Sequence, residues 1–438
     1  MTFELQRSNA MIGLAAMVVV SVGLAGCQST GAVKKQAPAA ATLASDAAPA
    51  ESSSDGAVIA ALPSFDLWRA DLKAEALAAG VSANTFDRAF ALVQVNQDIL
   101  AKDQSQAEFT RPVWEYLDKA VSEARVENGK MLENANAAAL AKVERRYGVP
   151  PRIIIAIWGL ESSYGEFAGD YNVIEALATL AYASRRGNVF RAQLIDALLI
   201  LDKGDVAASD MRGSWAGAMG QTQFMPSAFR QYAVDGDGDG RRNIWRSLPD
   251  VFSSTGNYLA SHGWRPGEPW GAEVRLPPDF PWQMAEVDIR KPVEEWRRMG
   301  VRLANGRQLP KVGSNAAIVA PAGHRGPVFI LFDNFRVILK YNNSTAYGLA
   351  VALLSDRVDG GGPVLTAWPT DEPPLSKDER LDLQTLLAEL GYDPGEIDGV
   401  VGPMTRAAVR RFQRKIGMVP DGYPTPRLLG RLRAAGAT

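Results

Sequence analysis

Residues 151–165 read Pro151-Arg-Ile-Ile-Ile-Ala-Ile-Trp-Gly-Leu-Glu161-Ser-Ser-Tyr-Gly165. The prolines at 150 and 151 suit a helix start, where a missing N–H costs nothing. The apolar run that follows suits a buried helix. Helical spacing sets Glu161 one turn after Ile157, two turns after Ile154 and three positions after Trp158. A carboxyl among such neighbours loses hydration, which disfavours its charged form and raises its pKa. A carboxylic acid that donates a proton near neutral pH needs that environment. The alternative is a helix-end Glu with its carboxylate in water.

Outward from this helix the chain remains helical. Ser64 can cap a helix carrying Phe65, Trp68, Leu72 and Leu77, ended by Gly80. Ser82 can cap a second with Phe86, Phe90 and Val93, and a long amphipathic segment over 112–147 is interrupted at Gly129. Helical patterns run to about 265. From 271 to 340 Pro, Gly and short apolar runs take over, and Ala316–Pro321, Val328–Phe332 and Val337–Leu339 read as strands of a small sheet. A helix is expected at 345–356, a linker at 359–375, and a separate helical module at 376–438.

Composition bounds the chemistry. The 438 residues are 47% hydrophobic and 22% charged, with a net charge of −2, one Cys and two His. A single Cys excludes an intramolecular disulfide, and Cys27, His262 and His324 are too few for a Cys/His zinc site. A Ser-His or Cys-His hydrolase would have to use one of those two histidines. Near-zero charge argues against nucleic acid as a partner. The load falls on carboxylates.

Residues 11–26 are an uncharged apolar run, too short to span a membrane and suited to a signal-peptide core. Its end, Leu24-Ala25-Gly26-Cys27, resembles a bacterial lipobox, in which Cys27 becomes a lipidated N-terminus. Residues 1–26 are then a lipoprotein signal peptide. Residues 27–61, rich in Ala, Ser and Pro, form a flexible tether that cannot bury enough surface to fold. A plain signal peptide with an incidental Cys, or a short anchor helix, is the alternative.

A second segment reads Gly213-Ser-Trp-Ala-Gly-Ala-Met-Gly-Gln-Thr-Gln-Phe-Met-Pro226-Ser. Its glycines permit close backbone approach. Gln221 and Gln223 offer amides, and Phe224 and Met225 an apolar wall. Sugars suit such mixed surfaces, although a loop packed for the fold alone would read the same way.

These two segments, in this order and spacing, resemble the membrane-bound lytic murein transglycosylase B family. The resemblance covers about 64–358 and includes Tyr147-Gly-Val-Pro150 and Asn257-Tyr-Leu259 with His262-Gly-Trp264. It implies a mainly α protein whose lysozyme-like catalytic domain, 62–358, carries extra helical parts and a small β subdomain. It implies cleavage of the β-1,4 bond between N-acetylmuramic acid and N-acetylglucosamine in peptidoglycan glycan strands, with no cofactor required. By resemblance Glu161 is the single acid/base. It protonates the glycosidic oxygen and then deprotonates the muramoyl C6 hydroxyl, whose attack on C1 leaves a 1,6-anhydromuramoyl end. Ser214 and Gln223 match groups that position the sugar or Glu161. Phe224 matches the sugar-binding wall, Tyr258 a cleft tyrosine, and Tyr341, Asn342 and Tyr347 a motif returning from the far side. An ordinary glycosidase needs a second carboxylate about 5–9.5 Å away, and Asp170 and Asp210 could serve a water-using muramidase. A second class of function, a murein-binding scaffold without catalysis, predicts loss of the acid, yet Glu161 is present.

Asp235-Gly-Asp-Gly-Asp-Gly-Arg-Arg-Asn243 resembles the start of an EF-hand loop. Asp235, Asp237, Asp239 and Asn243 stand at positions 1, 3, 5 and 9, a candidate set for calcium or sodium. Position 12 is Arg246 rather than the closing Glu, and a metal-free turn is the alternative.

In the last block, Leu383, Leu386, Leu387 and Leu390 make one helical face and Ala408, Val409 and Phe412 another, with Asp-Gly turns between. This resembles a three-helix peptidoglycan-binding domain. Arg410, Arg411 and Arg414 read equally as a solvated face or as ligand contacts. The expectation is a monomer in the periplasm, held by Cys27 in the inner leaflet of the outer membrane.

Overall fold

The computed structural model describes residues 64–104, 112–312 and 315–436. The signal segment, the tether and Cys27 lie outside the described residues. Seventeen α-helices and seven short strands are present among the described residues, in line with a mainly α fold. No helix among them is long and apolar enough to cross a membrane.

Ser64 and Ser82 cap the first two helices, Phe65–Ala78 and Ala83–Phe90. Each side-chain oxygen accepts a backbone N–H left unpaired in the first turn. The segment 112–147 does not break at Gly129. It forms Val113–Ala120, Glu123–Ala135 and Ala137–Tyr147, separated at the Ser122 cap and at Asn136. Gly129 lies inside the middle helix because its missing side chain makes room: a Cβ there would stand 2.8 Å from the Tyr164 hydroxyl.

The helix Pro151–Ser162 is buried on all sides from Ile153 to Leu160. An α-helix that is apolar all round must sit in a core. Helices Glu123–Ala135, Ala137–Tyr147, Leu248–Ser261 and Thr345–Val358 surround it. A second core is built from Val173–Ala183, Gly187–Lys203, Pro226–Tyr232 and the first two helices. Tyr258 and Tyr341 pack against both cores, so the seam between them is where a cleft can form.

Strands β1 (Tyr171–Asn172) and β2 (Arg212–Gly213) pair antiparallel and bring the chain that follows the Glu161 turn against the start of the glycine-rich segment. Strands β3 (Gly271–Arg275), β4 (Arg290–Pro292), β5 (Arg302–Leu303), β6 (Asn315–Val319) and β7 (Val328–Leu331) form an antiparallel sheet of order β4-β6-β7-β3-β5. Its register pairs Ile318 with Ile330 and Val274 with Val328. Trp296, fully buried, covers one face and donates from its indole to the Ala316 carbonyl at 2.8 Å. The expected strand at Val337–Leu339 is instead part of the helix Asp333–Tyr341. A three-residue apolar run has no period of its own, and here Phe335 and Ile338 reach the first core from one helical face.

The C-terminal block forms helices Lys377–Glu389, Pro403–Lys415 and Pro426–Gly436 around Leu383, Leu387, Ala408, Val409, Phe412, Leu428 and Leu432. One hydrogen-bond pattern occurs twice in it. The Gln384 side chain accepts from Gly399 N and donates to Asp398; Gln413 accepts from Gly422 N and donates to Asp421.

Candidate active site

Glu161 is the penultimate residue of its helix. The chain then turns through two left-handed residues without the freedom of glycine, Ser163 (φ 49°) and Tyr164 (φ 63°). Each such residue costs about 1–3 kcal/mol and persists only where neighbours enforce it. Here the Tyr164 ring packs edge-on against Trp158, its hydroxyl donates to the Arg125 carbonyl at 2.7 Å, and Phe167 N donates to Ser162 O. The turn exposes the carboxyl of Glu161 to the seam while its helix remains buried.

The glycine-rich segment fixes this helix from the other side. The Gln221 side chain accepts from the Trp158 indole at 2.8 Å and donates to the Trp245 carbonyl, and Ser162 Oγ donates to Gln221 O. Gly213 approaches backbone of its own turn, since a Cβ would lie 2.0 Å from Ala218 O. Ser214 Oγ accepts from Ala218 N at 3.1 Å, so its O–H is left to donate. Gln223, also left-handed (φ 51°), spends its amide nitrogen on Ala168 O and Gly220 O, which leaves its amide oxygen for a ligand. Phe224 is buried against Tyr258 and Tyr341, with ring centroids 5.4 and 5.7 Å away.

Tyrosines complete the enclosure. The Tyr347 hydroxyl donates to Glu161 Oε1 at 2.5 Å. Tyr341 and Tyr258 donate to the carbonyls of Thr222 and Lys340, so their rings serve as walls. Asn342 ends the helix Asp333–Tyr341 beside them. Tyr116, on Val113–Ala120, is a fourth phenol within reach of the Glu161 charge. No sequence signal marks it, because a tyrosine in an amphipathic helix looks like any core aromatic.

Burial pushes the Glu161 carboxyl up to about 7, with the Tyr347 hydrogen bond opposing part of the rise. The C-terminal end of a helix carries partial negative charge and works in the same direction as burial. Burial and the Glu161 charge push Tyr116 up to about 12 and raise Tyr258, Tyr341 and Tyr347 as well. All four phenols therefore stay protonated and add no negative charge beside Glu161, and of the four Tyr347 is the one that donates a hydrogen bond to it. Neither Asp170 nor Asp210 acts on Glu161. Asp170 is exposed, and Asp210 pairs with Arg246 at 3.0 Å. The two histidines are elsewhere engaged. His262 lies against the Tyr258 ring and its Nδ1 is 2.7 Å from Tyr258 O, and His324 meets Asp421 of the C-terminal module.

The acidic loop gathers Asp235 and Asp237 with Asp250, whose oxygens approach within 4.8 Å. Asp250 is buried on the following helix and was not anticipated, since it lies beyond the twelve-residue spacing. Asp239 accepts from Arg241 N and Asn243 from Trp245 N and Arg246 N, which shapes the loop. Three clustered carboxylates fit a hard cation with oxygen ligands.

A site with one titrating carboxyl near neutrality, a tyrosine-lined cleft and an amide-rich loop defines the class. The chain belongs to the transglycosylase SLT domain family, which matches residues 64–356, and its residues 376–432 match a peptidoglycan binding domain. Its relatives are lytic transglycosylases, peptidoglycan-cleaving lyases. It is 33% identical over 249 residues to membrane-bound lytic murein transglycosylase B of Escherichia coli, covering 56% of this chain and 66% of that enzyme, just under two thirds of its length. Among solved structures it resembles SltB3 from Pseudomonas aeruginosa in complex with NAG-anhNAM-pentapeptide, at 53% identity and a TM-score of 0.82, covering 84% of this chain and 99% of that one. It also resembles the Escherichia coli lytic transglycosylase Slt35 in complex with calcium, at 28% identity and a TM-score of 0.58, covering 66% of this chain and 92% of that one. Lytic transglycosylases of this kind need no cofactor.

Proposed function

We propose that this protein cleaves the MurNAc–GlcNAc β-1,4 bond of peptidoglycan and leaves a 1,6-anhydromuramoyl end, with Glu161 as the only acid/base. The observation that carries this reading is the setting of Glu161: it stands at the end of a buried helix, accepts from the Tyr347 hydroxyl at 2.5 Å, and among the described residues is the one carboxylate acting on the four surrounding phenols, with its own pKa raised to about 7. Near neutrality a large fraction carries the proton that the leaving oxygen needs. Once that proton is given, the carboxylate can take one from the C6 hydroxyl, and Tyr347 steadies the charge meanwhile. The internal hydroxyl replaces both the second carboxylate and the water of an ordinary glycosidase. Ser214, Gln223, Tyr258, Tyr341 and Asn342 bind and orient the sugars in this reading, while Phe224, expected as part of the sugar-binding wall, is buried behind Tyr258 and Tyr341 and backs their rings instead. The anhydro sugar bound to the SltB3 relative supports the same product. Mass spectrometry of digested sacculi tests it. Anhydromuramoyl ends are expected, whereas reducing muramic ends alone would return the water-using muramidase with Asp170 or Asp210.

The setting we propose is the periplasm, with the monomer held through lipid on Cys27 to the outer membrane, as the membrane-bound relative suggests. Cys27→Ser should release the protein into the soluble fraction; continued membrane fractionation of that variant would remove the anchor. The loop around Asp235, Asp237 and Asp250 is proposed to take calcium or sodium as an optional structural ion.

A further inference from the structure

Glu286 belongs to the β subdomain, in the loop before β4, yet its carboxylate is committed to the C-terminal module. Its Oε1 accepts from Arg406 Nε at 3.0 Å and its Oε2 from Arg406 Nη2 at 2.9 Å, a two-pronged pair, and Arg410 Nη2 closes on Oε1. The Arg410 side chain is 6% exposed and that of Glu286 18%. Arg410 is therefore neither a solvated face nor a free ligand contact. A second tie lies beside it. Asp421 Oδ2 accepts from His324 N at 2.9 Å and stands 2.6 Å from His324 Nδ1, while Asp421 Oδ1 is held by Gln413 and Tyr423 N.

The connecting segment is pinned as well. Glu273 accepts from Leu365 N at 2.7 Å and Thr366 N at 2.8 Å, Trp368 lies between the Trp114 and Phe329 rings, and Arg325 pairs with Asp371 and Glu372. A free connector of this length would let the module wander over tens of ångströms and dilute its effect on the cleft. Two geometrically specific charge ties and a fixed connector remove that freedom only in concert, so the ordering cost is not charged to binding. Loss of the Glu286 tie, which engages two guanidinium groups, gives part of the freedom back.

We propose that Glu286 is a positioning residue that, through Arg406 and Arg410, holds the wall-binding module in one orientation to the Glu161 cleft, so that a polymeric strand engages both at once. It thereby favours sacculi over short glycans. This rests on the peptidoglycan reading above and adds a specificity device to it. The test compares full-length wild type, Glu286→Ala, Arg406→Ala and the double variant on intact sacculi and on a soluble NAG–NAM tetrasaccharide, with small-angle X-ray scattering of each. Glu286→Ala should raise KM on sacculi about five- to tenfold, change kcat less than twofold, leave the tetrasaccharide kinetics untouched and enlarge the maximum dimension. Arg406→Ala should do the same, and the double variant no more than either single one. An unchanged sacculus KM, an equal loss on the tetrasaccharide, or additive single effects would each overturn the proposal. Absence of anhydro ends from wild type on both substrates would instead strike the catalytic reading, while scattering and sacculus affinity would still report on Glu286.

Discussion

In the proposed mechanism Glu161 must hold a proton near neutrality and then give it up. Its ordinary carboxyl would ionise near pH 4.5, and burial moves it to about 7. Because the folded form binds its proton more tightly than the unfolded chain, this group favours folding at low pH. That contribution is lost as pH rises from about 4.5 to about 7, above which a buried carboxylate is a standing cost. Glu161→Gln should therefore abolish anhydromuramoyl release, a loss of at least about 10²–10⁴-fold. It should also stabilise the protein at pH 8 by about 1–3 kcal/mol while leaving stability at pH 4 nearly unchanged, as read by urea unfolding. Equal effects at both pH values would mean that the carboxyl is not buried as described. Tyr347 opposes the rise in pKa. In Tyr347→Phe the acid keeps its proton to higher pH, so the fall of kcat/KM on the alkaline side should shift upward relative to wild type. A downward shift in the pH–rate profile would refute the role given to that hydroxyl.

The elements around the site exist to hold one turn in place. Gly159 faces Tyr164, and a Cβ there would lie 2.7 Å from the ring. Gly159→Ala should displace Tyr164, cost about 1–3 kcal/mol by overpacking and lower activity through the position of Glu161. A thermal midpoint equal to wild type would show that the ring gives way freely. This dependence explains what the sequence could and could not disclose. The helix Pro151–Ser162 was legible because its caps and apolar run are local. The strands at 316–321 and 328–332 were legible as apolar runs bounded by turn residues. Gly129 misled because a glycine's packing partner lies 35 residues downstream, and Val337–Leu339 misled because so short a run fits either period. Glu161, Gln223 and the tyrosines came from motifs. Tyr116 and Asp250 carry no motif and join their sites only through tertiary packing. For the acidic loop, millimolar calcium should raise the melting temperature of wild type. Asp237→Asn, at an exposed position, should leave the ion-free midpoint within a degree or two and remove the calcium shift. A calcium shift that survives in this variant would place the ion elsewhere.

At the scale of the whole molecule, the charge ties between the β subdomain and the C-terminal module set the conditions under which it acts as one body. Burial alone would raise Glu286, but the guanidinium groups of Arg406 and Arg410 outweigh it and hold the carboxyl below its usual range. For Asp421, burial is likewise outweighed by hydrogen bonds from His324, Tyr423 and Gln413. A carboxyl depressed in the assembled state stabilises that state fully above its free value, about 3.9 for Asp and 4.3 for Glu, and gives the contribution up as pH falls through the depressed value. The maximum dimension from small-angle scattering should therefore be constant from pH 8 to about pH 5 and grow only below the ordinary carboxylate range. Near-ultraviolet circular dichroism would separate this opening from global unfolding. Salt distinguishes the ties from surface pairs. At about 0.5 M NaCl exposed charges are screened within a few ångströms, whereas a two-pronged pair with one side chain nearly enclosed is not. The scattering profile at pH 7 should thus survive that salt in wild type and be expanded without it in Glu286→Ala. Opening of wild type by salt at neutral pH would make the contact an ordinary surface attraction, too weak to orient a glycan strand.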